Sequence, residues 1–395
     1  MLEAAILGTA LGIVAGLTPG IHSNTFAALI LLYAASFENA GVIVICSAIS
    51  YTIADIVPTT ILGVPDEETA VGAFPAHEMV LDGRAFEAIS LSALSSFLAL
   101  LLSIPLFFTV LAISSNYDYV RLVTPYILLL ISAFLILSER AGEFEGSLAS
   151  WRKRLYAFLV FSLSGFAGVV AFNNSHLAEV NPAGSVLLPL LTGLFGAPIL
   201  MQSLGGKIPD QILTIRLPDM NSAAKGALSG FFVSLFPGIS SGIATAIASF
   251  SERKREGYIA AMSAANTSNA LLCLFMLMAM GKTRSGAADI LKRLAVIPTF
   301  QDVILLSLIS GLVSLAATLV ISYLVISKIR NVSLLPVSVI VFVFLILIVY
   351  IFTGFFGLAI FFAAVPIGLS AVLLEVKRVN CMGCLILPIM LRYFP

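Results

Sequence analysis

Charge is what this chain of 395 residues lacks: Lys, Arg, Asp and Glu make up 11% of it, against about 25% in soluble domains. No polar stretch is long enough to enclose a soluble core of its own. The 21 basic and 21 acidic residues cancel to a net charge of +0, which leaves no bulk field to draw nucleic acid. Tryptophan occurs once, as Trp151 in a charged loop, where an interfacial anchor is the plain reading. Of the four cysteines, Cys46 and Cys273 lie in apolar runs and read as small buried hydrophobes. Cys381 and Cys384 form a lone Cys-x-x-Cys with no second pair and no histidine beside it, too little for a metal or redox site. The HExxH helix, the GxxxxGK phosphate loop and the GxSxG elbow are all missing. No enzyme, ATP-driven pump or cofactor is expected. The N-terminus carries Glu3 and no basic region, and reads as mature protein rather than a signal peptide.

Apolar side chains are what is there. They make up 59% of the chain, with a mean hydropathy of +1.07, and they fall into runs of about 20 residues, the length that spans a bilayer. The pattern predicts an all-α polytopic membrane protein with roughly 10–12 membrane segments. Residues 3–36 are apolar on both sides of Pro19-Gly20, each arm too short to span, which predicts a broken helix or re-entrant hairpin. Spans are expected at 40–57, 88–114, 121–138, 155–172 and 184–203, with an amphipathic piece at 76–87. A second interrupted segment, 222–250, breaks at Pro237-Gly238. Spans at 257–280, 301–327, 333–352 and 354–376 follow, and the tail 381–395 is short enough to be half-inserted.

The two interrupted segments align without gaps at a shift of 218 positions (237 minus 19). Gly8, Gly12, Leu17, Pro19, Gly20, Ile21, Ser23 and Ala28 meet Gly226, Gly230, Leu235, Pro237, Gly238, Ile239, Ser241 and Ala246. The same shift superposes Ser50 on Ser268 and Gly63 on Gly281. This divides the chain into a membrane repeat over 1–204, a polar linker over 205–221 and a second repeat over 222–395. The basic clusters Arg152-Lys153-Arg154, Arg253-Lys254-Arg255, Lys328 with Arg330, and Lys377-Arg378 set the cytoplasmic side. An odd number of spans between equivalent loops then makes the repeats inverted. Lys282, Arg284, Lys292 and Arg293 fall outside on this count, as a loop that dips back inward would allow.

Backbone released from a helix inside a bilayer must be satisfied by protein, water or a ligand, and a helix start offers free N–H groups and a positive dipole end to an anion. Pro19, Gly20, His22, Ser23, Asn24 and Thr25 in the first half, with Pro237, Gly238, Ser240 and Ser241 in the second, are therefore candidate substrate ligands. Taken singly, each break reads as a kink, with Gly8, Gly12 and Gly16 packing helices together; paired at matching positions, the breaks favour a site. Asn266, Ser268 and Asn269 of the tetrad Asn266-Thr267-Ser268-Asn269 join them, interhelical hydrogen bonding being the alternative. Asp55, near Thr59 and Thr60, is the acid well inside an apolar run and a candidate ligand for H⁺ or Na⁺ as coupling ion; a solvated position at the membrane edge is the alternative. His22 is a second candidate proton carrier. His77 and His176 are placed in loops and given no role, and Asp66-Glu67-Glu68 reads as a solvated acidic loop.

These residues resemble the membrane permease of tripartite tricarboxylate transporters, the TctA family, in a short form seen in archaea. The likeness rests on Gly12-x-x-x-Gly16-x-x-Pro19-Gly20, on Ile61-Leu62-Gly63-Val64-Pro65 running into Leu81-Asp82-Gly83-Arg84, and on Ala85 to Ser96. In the second half it rests on Gly230, Pro237-Gly238, Asn266 to Asn269, and Gly281 to Ala288. Val64-Pro65-Asp66-Glu67 and Met280-Gly281-Lys282-Thr283 stand where the family carries further Pro-Gly loops. The resemblance implies import of a citrate-like anion on a cation gradient, in the cell membrane of a prokaryote, beside a small membrane subunit and an extracytoplasmic binding protein. A related group with similar hairpins, implicated in moving polyprenyl phosphate across membranes, is the second reading. That reading calls for a site open sideways to lipid, with Lys282 and Arg284 nearby.

Overall fold

The computed structural model describes residues 1–19, 30, 39–64, 69, 73–141, 147–180, 184–202, 207–236, 239–248, 254–329 and 333–393. Gly20, His22, Ser23, Asn24, Thr25, Pro237, Gly238 and the acidic loop 66–68 lie outside the described residues. The rest is helical. In the first half run α1 (Leu2–Leu17), α2 (Ala40–Ala54), α3 (Ile56–Leu62), α4 (Ala73–Leu81), α5 (Ala85–Ser103), α6 (Leu106–Ser114), α7 (Tyr117–Leu137), α8 (Ser147–Asn173) and α9 (Leu187–Gln202). The second half holds α10 (Met220–Leu235), α11 (Ser241–Ala248), α12 (Arg255–Met280), α13 (Gly286–Arg293), α14 (Phe300–Ile326), α15 (Leu334–Leu373) and α16 (Gly383–Tyr393). Residues 208–219 between α9 and α10 have no regular secondary structure.

Seven of these helices, counting α2 and α3 as one, are long and apolar enough to cross a membrane. The longest, α15, is 40 residues, about 60 Å if straight and twice the hydrocarbon thickness. It folds back at Gly354, whose φ of 64° and ψ of −158° are closed to other residues. The Phe342 and Phe361 rings consequently meet at 5.9 Å.

The outer faces of the helices are apolar, and the small polar side chains turn inward among apolar core residues. On α14, Ser307, Ser310, Ser314, Thr318 and Ser322 are buried at helical spacing, while Leu305, Ile309, Leu312, Val313 and Val320 point outward. Hydrocarbon tails take the apolar face, and small polar side chains let helices approach. The window of α12 is 94% buried and that of α2–α3 is 83%, against 28% for α7, so α12 and α2–α3 form the centre.

Both interrupted helices stop at the same place. Thr18 (φ −92°, ψ 112°) follows α1 and Phe236 (φ −107°, ψ 120°) follows α10. Each precedes a proline, whose ring drives its predecessor out of the helical region. The glycines upstream do what the packing alternative required. A Cβ on Gly8 would lie 2.7 Å from the Ile43 carbonyl oxygen, and Gly12 sits closer still to that of Ser47. In the second half Gly226 meets the Ala261 carbonyl and Gly230 that of Ala265. Donor and target shift together by 218 (226 minus 8, 261 minus 43). Gly63 after α3 and Gly281 after α12, again 218 apart, both cap their helices at positive φ, 68° and 64°.

Candidate functional site

Asp55 stands where α2 runs on into α3, with helical φ and ψ, and is 4% exposed. It lies 15 residues from Ala40 and seven from Leu62, the two ends of the α2–α3 span. Asn266 on α12 donates from Nδ2 to Asp55 Oδ2 at 2.7 Å. Thr267 Oγ1 donates to the Thr52 carbonyl at 3.5 Å, and Thr59 Oγ1 donates to the Asp55 carbonyl at 2.8 Å. The acid of the first half and the tetrad of the second thus form one buried cluster. An isolated carboxylate in hydrocarbon is costly, and an amide donor offsets part of that cost without adding charge.

The rest of the tetrad is used differently. Ser268 Oγ donates to the Ala227 carbonyl at 2.9 Å and accepts from Ser103 Oγ at 2.7 Å, so it stitches α10, α5 and α12 together. Asn269 Oδ1 accepts from Cys273 Sγ at 3.4 Å. Ser92 and Ser263 share a 2.6 Å hydrogen bond further along the α5–α12 contact. Beyond the second break, Ser240 Oγ accepts from the Ile243 amide at 3.3 Å and caps α11. Ser241 beside it is fully buried. Pro19 is described but its downstream partners are not, so the two Pro-Gly walls cannot be brought together among the described residues.

Arg284 carries a role of its own. Its Nη2 donates to the Leu235 carbonyl at 2.6 Å and its Nε to that of Ser234 at 3.2 Å. It thereby covers the last carbonyls of α10, where a cation meets the negative helix end. Tyr117 donates to the same Leu235 carbonyl, and Lys282 lies 5.9 Å above the Tyr117 ring.

His77 corrects the loop assignment. It lies within α4, is 4% exposed, and bonds through Nδ1 to the Thr60 carbonyl at 3.0 Å. A carbonyl only accepts, so Nδ1 carries the proton. Burial, helped by nearby Arg378, lowers its pKa from 6.5. His176 sits in a short 3₁₀ turn, Ser175–Leu177. Arg378, in the turn Arg378–Met382, donates to Gln202 Oε1 at the end of α9, and burial lowers its pKa to about 10. Cys381 and Cys384 are buried free thiols, and burial pushes Cys381 up to about 12. No group of three His, Cys, Asp or Glu side chains suited to a metal occurs among the described residues. The sequence did hold one signal for His77. Ala73, Ala76 and Val80 flank it at helical spacing and are buried, so it shares their face.

Apolar helices long enough to span a bilayer, with hydroxyl groups and an acid–amide pair buried among them, define a multi-pass membrane protein. The sequence profile of the tripartite tricarboxylate transporter TctA family matches residues 2–383, and the chain belongs to that family, a family of transporter permeases rather than of enzymes. It is 29% identical over 405 aligned positions to the uncharacterized protein MJ1079 of Methanocaldococcus jannaschii, covering 98% of each chain. No solved structure matches it.

Proposed function

We propose that this permease is a secondary transporter of a di- or tricarboxylate-like anion, coupled to H⁺ or Na⁺, working by alternating access between two inverted repeats. The observation that carries the reading is the Asp55–Asn266 hydrogen bond, which joins the two halves, between which transporters of this design hold their ligands. An intramembrane carboxylate can take up and release a cation, and an amide donor offsets part of the cost of the charge left on release. The Pro-Gly breaks, with Ser240 and Ser241 at the second, supply helix starts for the anion, and Thr59 and Thr60 border the coupling site.

Inversion is supported by the central helices. The start of α12 lies beside the corner after α4, where Arg255 pairs with Asp82. The start of α2 lies beside the corner after α13, where Gly41 packs on Val296. Membership of the family supports a small membrane subunit and an extracytoplasmic binding protein as partners, in a prokaryotic cell membrane. The polyprenyl-phosphate reading needs Arg284 to face a lipid phosphate, whereas two of its nitrogens hold α10 carbonyls; the small anion is favoured. Uptake of radiolabelled citrate into proteoliposomes, with and without a Na⁺ or H⁺ gradient, tests the proposal. Absence of gradient-dependent uptake of any di- or tricarboxylate would overturn it.

A further inference from the structure

The corner after α4 and the corner after α13 have one backbone design. Gly83 donates to the Val80 carbonyl at 3.1 Å and Arg84 to that of Met79 at 2.7 Å; Ala295 donates to the Lys292 carbonyl at 3.1 Å and Val296 to that of Leu291 at 2.9 Å. Gly83 and Ala295 both have positive φ, 78° and 54°, as this helix-ending motif requires. The two corners superpose at a shift of 212 (296 minus 84). Each packs on the start of the other half's central helix: the first on α12, the second on α2, where a Cβ on Gly41 would lie 2.9 Å from Val296 Cγ1 and 3.4 Å from Leu291 Cδ2.

Their side chains are opposite in kind. At the first corner Arg84 pairs with Glu87 at 2.7 Å and with Glu256 of α12 at 2.6 Å. Arg255 of α12 pairs with Asp82 at 2.8 Å and Glu78 at 3.3 Å, and Arg216 of the linker stands 3.8 Å from Glu87. At the second corner the superposed positions of Glu78, Asp82 and Arg84 are Ile290, Leu294 and Val296. Ions hold one junction and apolar contact holds the other.

We propose that the Arg84–Glu256 and Arg255–Asp82–Glu78 pairs form an electrostatic latch that closes one end of the pathway, while the counterpart end, among the described residues, closes by apolar packing of Val296 and Leu291 on α2. The inference rests on the alternating-access reading above. Its consequence is that the two ends obey different physics. Added salt weakens partly exposed ion pairs but leaves apolar burial intact or strengthens it. Ionic strength therefore biases the protein toward opening at the α4–α12 junction only.

The test uses the full-length chain in liposomes with two spin-label pairs, Leu81→Cys with Lys254→Cys across the ionic junction and Asn39→Cys with Ile297→Cys across the apolar one. All four native thiols are buried and so are poor targets for labelling. Raising salt from about 0.1 M to about 1 M cuts the screening length from about 10 Å to about 3 Å. The first pair should then gain a longer-distance population, by about twofold or more, and the second should not move. Glu256→Gln should produce the same gain at low salt. Arg255→Gln serves as the independent variant, and the salt titration needs neither. A first distance unmoved by salt and by both variants, or equal movement at both junctions, overturns the latch. The distances do not depend on uptake. A salt-opened junction in a protein that carries no carboxylate overturns the transport reading alone, and gradient-driven uptake with an immobile junction overturns the latch alone.

Discussion

Asn266 reaches across 211 positions of sequence to donate a 2.7 Å hydrogen bond to Asp55. Each belongs to a different half of the chain, Asp55 where α2 meets α3 and Asn266 in the interior of α12. Removing either partner has a different consequence. Asn266→Ala strips a donor from a buried acid and should lower thermal stability by about 1–3 kcal/mol. Asp55→Asn removes the charge, should be far milder in stability, and should abolish gradient-driven uptake while leaving exchange of labelled for unlabelled substrate. Unfolding in detergent and uptake assays read the two effects separately; gradient-driven uptake by Asp55→Asn would remove Asp55 from the coupling role.

The glycine contacts predict a graded series. Gly12→Ala and Gly230→Ala place a methyl group against the Ser47 and Ala265 carbonyls and should cost about 1–3 kcal/mol each through overpacking. Gly281→Ala meets nothing within 4 Å but keeps its positive φ, so it should cost only about 1 kcal/mol. Thermal unfolding of the three variants ranks them, and equal losses would count against the close helix contact.

Glu139 joins the α7–α8 corner to the segment after α15. Its Oε1 accepts from the Lys377 amide at 2.7 Å and from Asn380 Nδ2 at 2.8 Å. Burial holds its carboxyl above the ordinary 4.5, against the pull of these donors. The folded chain therefore keeps this proton to higher pH than the unfolded chain does. Its stabilising contribution is full below about 4.5 and fades as pH rises through the raised value. Melting temperature should thus gain from this site on acidification, and Glu139→Gln should remove that gain.

His77 predicts the opposite slope. Its pKa is lowered from 6.5 by burial, so the folded chain binds fewer protons than the unfolded one around that value. Stability from this site is full above 6.5 and lost as pH falls through the lowered value. His77→Gln should flatten this limb of the stability–pH curve; an unchanged limb would show that another group titrates there.

The serines of the α5–α12 contact separate packing from binding. Ser268→Ala leaves Ser103 without its acceptor and frees the Ala227 carbonyl, so it should destabilise by about 1 kcal/mol. Ser241→Ala should keep the fold and weaken citrate binding measured calorimetrically. Unaltered binding would count against the second wall of the site.

Pro19 and Pro237 made both helix breaks readable in advance, because the ring acts on its own neighbours, and the breaks fall at Leu17 and Leu235. The residues that follow Gly20, and Gly238 itself, lie outside the described residues, so the first wall of the candidate site rests on sequence alone. Asp55 and the tetrad were likewise visible, since a polar side chain in an apolar run stands out by composition. Their pairing was not, because nothing local ties position 55 to position 266. His77 was missed for the reverse reason: a short, weakly apolar helix looks like a loop until its buried face is known.

By itself the sequence determined the solvent, the helices and their interruptions, all properties of neighbouring residues and of the transfer free energy of single segments. Tertiary structure decided which helix stands against which. It gave Ser268 the Ala227 carbonyl and Ser103 as partners and set Asn266 on Asp55. It also placed Asp82 and Arg84 where the other half carries Leu294 and Val296. Those choices depend on long-range fit, where glycines let backbones touch and a buried polar group takes the partner that the packed helices leave within reach.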